Sequence, residues 1–208
     1  QTAWVNQTTQ QLVEHLGLVL HRILARGDLS LRIENYDVGL AFAGVARTVT
    51  PIDPFGYRGA GSPGFPKDLP VAVGDAAATA RLYLWPPRDR GPGFVQGGRS
   101  EMESQGLYVY RNDRLLQAGG WNGLASASVD LVYARIALDL TVEMEHHVTI
   151  NPEKVGTTFD DELRNALAHA RTADGTTPLR RTIRPAASTR GRLTGPPSPR
   201  IVPTRSSR

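Results

Sequence analysis

One lysine in this sequence stands where a side chain can do chemistry. The run from His147 to Lys154, His-Val-Thr-Ile-Asn-Pro-Glu-Lys, alternates in strand fashion as far as Asn151-Pro152. Proline removes a ladder donor, so the strand must stop there and Lys154 must fall on the loop just beyond it. A primary amine in that position can reach out of the sheet; the alternative is a solvated surface lysine. Histidines offer no comparable site. His146 and His147, read as strand neighbours, are expected on opposite faces and cannot share an ion, and His15 and His21 are expected on different faces of a helix. The chain has no cysteine, which removes disulfides and cysteine-bound zinc. Gly59 to Gly64 has the spacing of a dinucleotide fingerprint, but no strand precedes it and Phe65-Pro66 follows where a helix should open, so no helix amides would meet a phosphate. No G-x-S-x-G, H-E-x-x-H or G-x-x-x-x-G-K-[ST] pattern occurs.

The elements that must position Lys154 can be read from periodicity. Leu107 and Val109, then Leu115 and Leu116, flank Asn112-Asp113, a pair that tolerates the positive φ of a type I′ turn, and predict a hairpin within Gly106 to Trp121. Further strands are expected at Leu29–Ile33, Arg47–Ile52, Ala78–Trp85, Ala134–Leu140 and Val148–Ile150. Leu12, Leu16, Val19, Leu20 and Ile23 predict one helix over Asn6–Leu24, with Gly27 as its stop. Phe159, Leu163, Ala166, Leu167 and Ala170 predict another over Phe159–Ala173, capped by Thr158. Gly56 to Pro70, dense in glycine and proline, reads as a long irregular loop. Alternation places Val109, Leu115, Ile136, Leu138, Ile150 and Leu167 in one shared core.

A Tyr-Val-Tyr-Arg-Asn-Asp-Arg-Leu hairpin (Tyr108 to Leu115), the strand Ala-Arg-Ile-Ala-Leu-Asp-Leu and an Asn-Pro-x-Lys strand exit, in that order, resemble the second, transducer domain of the GHKL ATPases. That superfamily groups gyrase B, the heat-shock chaperone, histidine kinases, MutL and the microrchidia ATPases. The similarity is greatest to MutL-like proteins and to bacterial microrchidia-like or chaperone-like ATP-binding proteins. His-Leu-Gly-Leu-Val-Leu-His-Arg-Ile-Leu (from His15), Leu-Ser-Leu-Arg-Ile and Pro-Ile-Asp-Pro-Phe resemble the passage into that domain and extend the likeness over roughly Gln10 to Ala173.

The resemblance implies an α+β fold, a mixed sheet of about four to five strands with helices packed on one face. It also implies a role for Lys154: crossing to a neighbouring nucleotide domain and touching the terminal phosphate of ATP. The family's nucleotide site uses a Glu-Asn helix, a D-x-G-x-G loop and a Gly-rich lid, none of which lies upstream of Gln10. The chain is therefore expected to be the C-terminal portion of an ATPase. ATP and Mg²⁺ would bind only in combination with a nucleotide-binding GHKL domain, missing or separately encoded, and neither would bind this chain alone. That domain is the expected partner, and a homodimer is compatible with the resemblance. Residues 1–27 become a helix linking the two domains, 28–174 the transducer-like domain and 175–208 a tail.

Composition separates the tail from the body. From Gly175 to Arg208 there are eight arginines and no acidic residue, so the body is net acidic and the tail strongly basic. Arg, Pro, Ser, Thr and Gly dominate the tail, too little apolar surface to offset the entropy of ordering, and disorder is expected. Arg180, Arg181, Arg184, Arg190 and Arg192 could attract nucleic-acid phosphates without regard to sequence, which defines the second functional class: a non-catalytic binding module. No apolar run approaches the ~20 residues that span a bilayer, and no basic-then-apolar leader is visible, so no membrane partner and a cytoplasmic location are expected.

Overall fold

The structure, a computed structural model, describes residues 2–39, 42–57, 64–150, 156–173, 175 and 179. The chain opens with α1 (Thr2–Val19) and α2 (His21–Arg26), two helices where the apolar spacing suggested one. They part at Leu20, whose backbone leaves helical geometry, while Leu24 N–H still donates to Leu20 O. Gly27 closes α2 in the left-handed conformation with its N–H on Leu24 O, the role its position predicted. Next come β1 (Arg32–Ile33), β2 (Tyr36–Asp37), β3 (Phe42–Ala43) and β4 (Arg47–Thr48), paired as nested antiparallel ladders β1–β4 and β2–β3. Thr9 Oγ1 donates to Asn35 Oδ1 at 2.8 Å and Arg47 donates to Asn6 and Gln10, so this arm lies along α1.

The remaining elements are β5 (Lys67–Val73), β6 (Ala76–Leu84), the single turn α3 (Glu101–Ser104), β7 (Gly106–Arg111), β8 (Arg114–Ala118), β9 (Ala134–Asp139), a 3₁₀ helix (Val142–His147), β10 (Val148–Ile150), β11 (Thr157–Phe159) and α4 (Asp161–His169). Strands β5 to β9 form one mixed five-stranded sheet in the order β5-β6-β9-β7-β8, parallel only between β7 and β9. The fold is α+β. Asn112 and Asp113 both take positive φ in the turn between β7 and β8, as the hairpin reading required. Strand β5 occupies residues expected to be irregular. It is an edge strand, the position in which Pro70 can be accommodated without a missing ladder bond.

Helices cover both faces of the sheet, which corrects the expectation of helices on one face. Leu107 and Val109 of β7 join Leu82, Ile136, Leu138, Leu163 and Leu167 in the core under α4. Their neighbours Tyr108 and Tyr110 face the other way, where they pack with Ala137, Leu115 and Phe55 beneath Leu18 of α1. The cause is visible in β7 and β9, buried at every position from Gly106 to Tyr110 and from Ala134 to Leu138: such strands need cover on both sides. Of the six residues expected to share one core, Val109, Ile136, Leu138 and Leu167 do. Leu115 lies on the opposite face because it pairs with Tyr110, and Ile150 is 46% exposed. Leu179, beyond the Gly175 boundary drawn from composition, belongs to the core and donates its N–H to Ala170 O.

One polar side chain sits at the centre of β9. Arg135 is fully buried, and its guanidinium donates to the main-chain oxygens of Pro54, Gly93 and Phe94. Trp85, Phe94 and Tyr108 surround it, their ring centroids 4.8, 5.4 and 5.5 Å from Cζ. Arg135 thereby ties two loops, around Pro54 and around Gly93, to the middle of the sheet.

Candidate functional site: the ribbon that carries the lysine loop

Strands β10 and β11 form a separate two-stranded ribbon with the register Val148↔Phe159, Thr149↔Thr158 and Ile150↔Thr157. The chain between them, 151–155, includes Lys154 and lies outside the described residues. β10 covers Val148–Ile150, the strand residues expected, and the Asn151-Pro152 exit lies outside the described residues. What the structure describes is how both legs of that loop are held.

At its base the ribbon is clasped to α4. Asp160 N–H donates to His147 O at 3.0 Å, and the Asp160 carboxylate meets His147 Nδ1 at 2.6 Å. The other carboxylate oxygen accepts from Leu163 N–H at 2.9 Å, which makes Asp160 the N-cap of α4, two residues past the Thr158 expected. Thr158 and Phe159 are instead in β11, because the ribbon pairing takes the residues that the apolar stripe had assigned to the helix. The amide of Leu163, helped by His147, holds the Asp160 carboxyl below its usual range. His146 and His147 are also placed differently from expectation: they lie in the 3₁₀ helix rather than on a strand, with ring centroids 3.9 Å apart. No group of three metal-capable side chains occurs among the described residues.

Near its tip the ribbon is tied to the main sheet by Gln117. Its Oε1 accepts from Thr157 N–H at 3.0 Å, from Thr157 Oγ1 at 2.6 Å and from Asn122 Nδ2 at 3.2 Å, while its Nε2 donates to Gly119 O at 2.8 Å. A bulge puts it there. Register between β7 and β8 shifts at Val109/Tyr110, so that Tyr110 opposes Leu115 but Val109 opposes Gln117. The extra residue, Leu116, turns Gln117 onto the face that carries α4 and the ribbon, as an inserted residue re-aims the side chains that follow it. Gly119 and Gly120, both at positive φ, then carry the chain past α3 so closely that a Cβ on Gly119 would stand 2.0 Å from Glu103 O.

Beside this tie lies an open polar cleft of about 410 Å³, lined by Arg99, Glu103, Gln117, Asn122, Gly156 and Thr157 among others. Gly156 is the first described residue after the lysine loop, so the loop rejoins the fold at the edge of the cleft. Sequence reasoning did not reach Gln117, Asn122, Thr157 or Arg99. The one available signal was a glutamine between apolar residues in Leu-Leu-Gln-Ala-Gly-Gly, a polar side chain at a position the strand buries.

A second charged cluster joins the hairpin to the first helices. Arg26 bonds Asp113 at 2.7 Å and Asp28 at 2.7 Å, and Arg22 reaches both Asp113 and Asp139 while its Cζ lies 3.5 Å over the Tyr110 ring. The arginines, Arg26 first, hold the Asp113 carboxyl below its ordinary range. Next to them His21 is buried, with Nδ1 2.7 Å from Leu18 O. A carbonyl can only accept, so Nδ1 carries a proton, and burial, opposed in part by the Leu18 carbonyl and by Asp53 4.0 Å from Nε2, pulls the ring's pKa below its ordinary value.

Arg180, Arg181, Arg184, Arg190 and Arg192 lie outside the described residues, and no helix among those described is long and apolar enough to cross a membrane. A scan of the chain against protein-family models finds no match, and searches of curated proteins and of solved structures find none either.

Proposed function

We propose that this chain is the transducer portion of a GHKL-type ATPase, presenting Lys154 to the γ-phosphate of ATP held by a nucleotide-binding domain. The observation that supports this most is the mounting of the lysine loop. It closes a dedicated two-stranded ribbon, clasped to α4 through His147 and Asp160 and tied to the sheet through Gln117, at the edge of an open polar cleft. Electrostatic stabilisation of a transferring phosphoryl group calls for a cation set in advance, and the strands on either side of the lysine segment are anchored to the body of the fold. The mixed sheet with one parallel pair and the type I′ hairpin accord with the same reading.

ATP and Mg²⁺ belong in this reading to the nucleotide domain, encoded in the same polypeptide or separately; this chain supplies the cation and the frame. The arginine–aspartate cluster between α2 and the Asn112-Asp113 turn gives the linking helices a rigid hold on the hairpin that carries Gln117. The test is ATP hydrolysis with the nucleotide domain present. Lys154→Ala should lower kcat by about ten- to a thousandfold, the effect of removing one preorganised charge from a transition state. ADP binding should hardly change, since ADP lacks the phosphate concerned. Parental hydrolysis by the Lys154→Ala variant would refute the reading. The binding-module alternative rests on the eight tail arginines alone, and it requires salt-sensitive, sequence-independent nucleic-acid binding that is lost when Arg180, Arg181, Arg184, Arg190 and Arg192 are neutralised.

A further inference from the structure

We infer that the cleft between α2 and the Asp53–Phe55 loop binds a primary ammonium on an apolar or aromatic stem, its nitrogen bridging His21 Nε2 and Asp53 Oδ1. Neither Lys154 nor a nucleotide domain has a part in this site. The cleft is open, about 430 Å³ in volume, and lined by His21, Arg22, Arg26, Asp53, Phe55 and Tyr83 among others. Two acceptors define its polar end. His21 is 4% exposed and its Nδ1–H donates to Leu18 O, so at about pH 8, above even the ordinary ~6.5 of an imidazole, Nε2 carries a lone pair. The Tyr110 hydroxyl is 3.5 Å from Nε2, well beyond the ~2.8 Å usual for such a donor. Asp53 Oδ1, the second acceptor, stands 4.0 Å from Nε2. Two acceptors so placed call for a donor between them, and a nitrogen about 2.9 Å from each meets both at once.

Charge favours an ammonium over a neutral donor. Asp28, Asp113 and Asp139 are bonded to Arg22 or Arg26, whereas Asp53 is bonded to no arginine among the described residues. With His21 neutral, these four aspartates outnumber the two arginines and the cluster is net negative. A carboxylate gains most from a donor that carries the opposite charge, and at 53% exposure that of Asp53 is open to solvent. The loop that presents it is fixed. Asp53 Oδ1 accepts from Phe55 N–H at 2.8 Å, and Pro54 between them is held through its carbonyl by Trp85 Nε1 and Arg135. Phe55 and Tyr83, with ring centroids 4.4 Å apart, give the stem of the ligand an aromatic wall.

The test is an NMR titration of the full chain with benzylammonium at about pH 8, read at the ring protons of His21 and Tyr83. Two further probes separate the contributions. Benzyltrimethylammonium keeps the ring and the charge but has no N–H; benzyl alcohol keeps the ring and one donor but has no charge. Benzylammonium should bind with a Kd of about 1–10 mM, the range of so small a ligand, and each of the others at least about tenfold more weakly. Asp53→Asn keeps the acceptor for Phe55 N–H and removes the charge, and should weaken benzylammonium by about ten- to a hundredfold. Asp28→Asn removes the same charge from the cluster but leaves the bridging pair intact, and should change Kd by less than about threefold. His21→Phe keeps a ring and removes the acceptor, with a loss like that of Asp53→Asn; if it does not fold, the two aspartate variants carry the comparison. No shift at His21 up to ~50 mM benzylammonium would overturn the inference, since solvent or a proton would then serve the two acceptors. Equal binding of benzyltrimethylammonium would overturn it too. So would equal losses in Asp53→Asn and Asp28→Asn, which would reduce the effect to general attraction of a cation by an acidic cluster.

Discussion

Arg135→Met should destabilise the protein by about 2 kcal/mol, and the sign of the change is the point at issue. A buried guanidinium with no carboxylate partner has a large desolvation cost, which is why burial pulls its pKa down. Against that stand its three carbonyl acceptors and three aromatic neighbours. Two of the carbonyls keep another donor when Arg135 goes: Pro54 O also accepts from Trp85 Nε1 at 3.0 Å, and Gly93 O from Gln96 Nε2. Phe94 O has no second donor among the described residues, and one stranded buried acceptor costs about 1–3 kcal/mol. Loss of the desolvated contact with Trp85 and the other rings adds about 2 kcal/mol, and relief of guanidinium desolvation takes back part of the sum. Arg135→Ala, which also leaves a cavity, should cost about 4 kcal/mol. Urea unfolding followed by tryptophan fluorescence measures both, and in the Met variant amides near Phe94 should exchange faster. A Met variant as stable as the parent would show that desolvation outweighs the three carbonyls, and that the loops around Pro54 and Gly93 are not held by this side chain.

Buried neutral His21 should make stability fall with acidity in a window of its own. Burial, opposed in part by the Leu18 carbonyl and Asp53, sets its folded pKa below the ordinary ~6.5, so the unfolded chain binds the extra proton first. Its contribution is complete above that ordinary value and is lost as pH falls through the folded one; His21→Gln should flatten the fall of the unfolding midpoint that begins below about pH 6.5. Gly119→Ala should cost about 3 kcal/mol or more, because φ is +75° and the new methyl meets Glu103 O, and a change under ~1 kcal/mol in urea unfolding would contradict the packing of this turn on α3. Leu179→Ala should cost about 2–3 kcal/mol, so deletion from Gly175 onward should lower the unfolding midpoint, whereas a basic tail without a core residue would come off with no loss.

The parts of this fold that were legible in the sequence are those where one local rule decides. Asn112-Asp113 fixed a two-residue turn, and Gly27 fixed the end of α2. Misreadings arose where two rules compete for the same residues. Phe159 fits both the apolar stripe of a helix and the last pair of a ribbon; tertiary pairing with Val148 decided for the ribbon, and Asp160 took over the cap. Pro70 argued against a strand, yet at a sheet edge its missing donor costs no ladder bond. Leu179 is a single apolar residue in a basic stretch, which composition averages away.

Strict alternation failed for a different reason, and the same reason hid the proposed site. An alternating pattern identifies a strand with one wet face, but β7 and β9 carry unbroken buried runs, and unbroken runs mean that both faces need cover. The sequence therefore contained the argument against helices on one face. What it could not contain is the face on which a given β8 residue lands. Counting by twos back from the turn puts Leu116 opposite Val109 and sends Gln117 with Tyr108 toward α1; the bulge moves each of these by one and delivers Gln117 to the ribbon instead. A one-residue slip exchanges the faces of every side chain beyond it. The glutamine could be noticed as a polar residue in an apolar strand, but its partners, Thr157 and Asn122, could be found only after the bulge had been located in three dimensions.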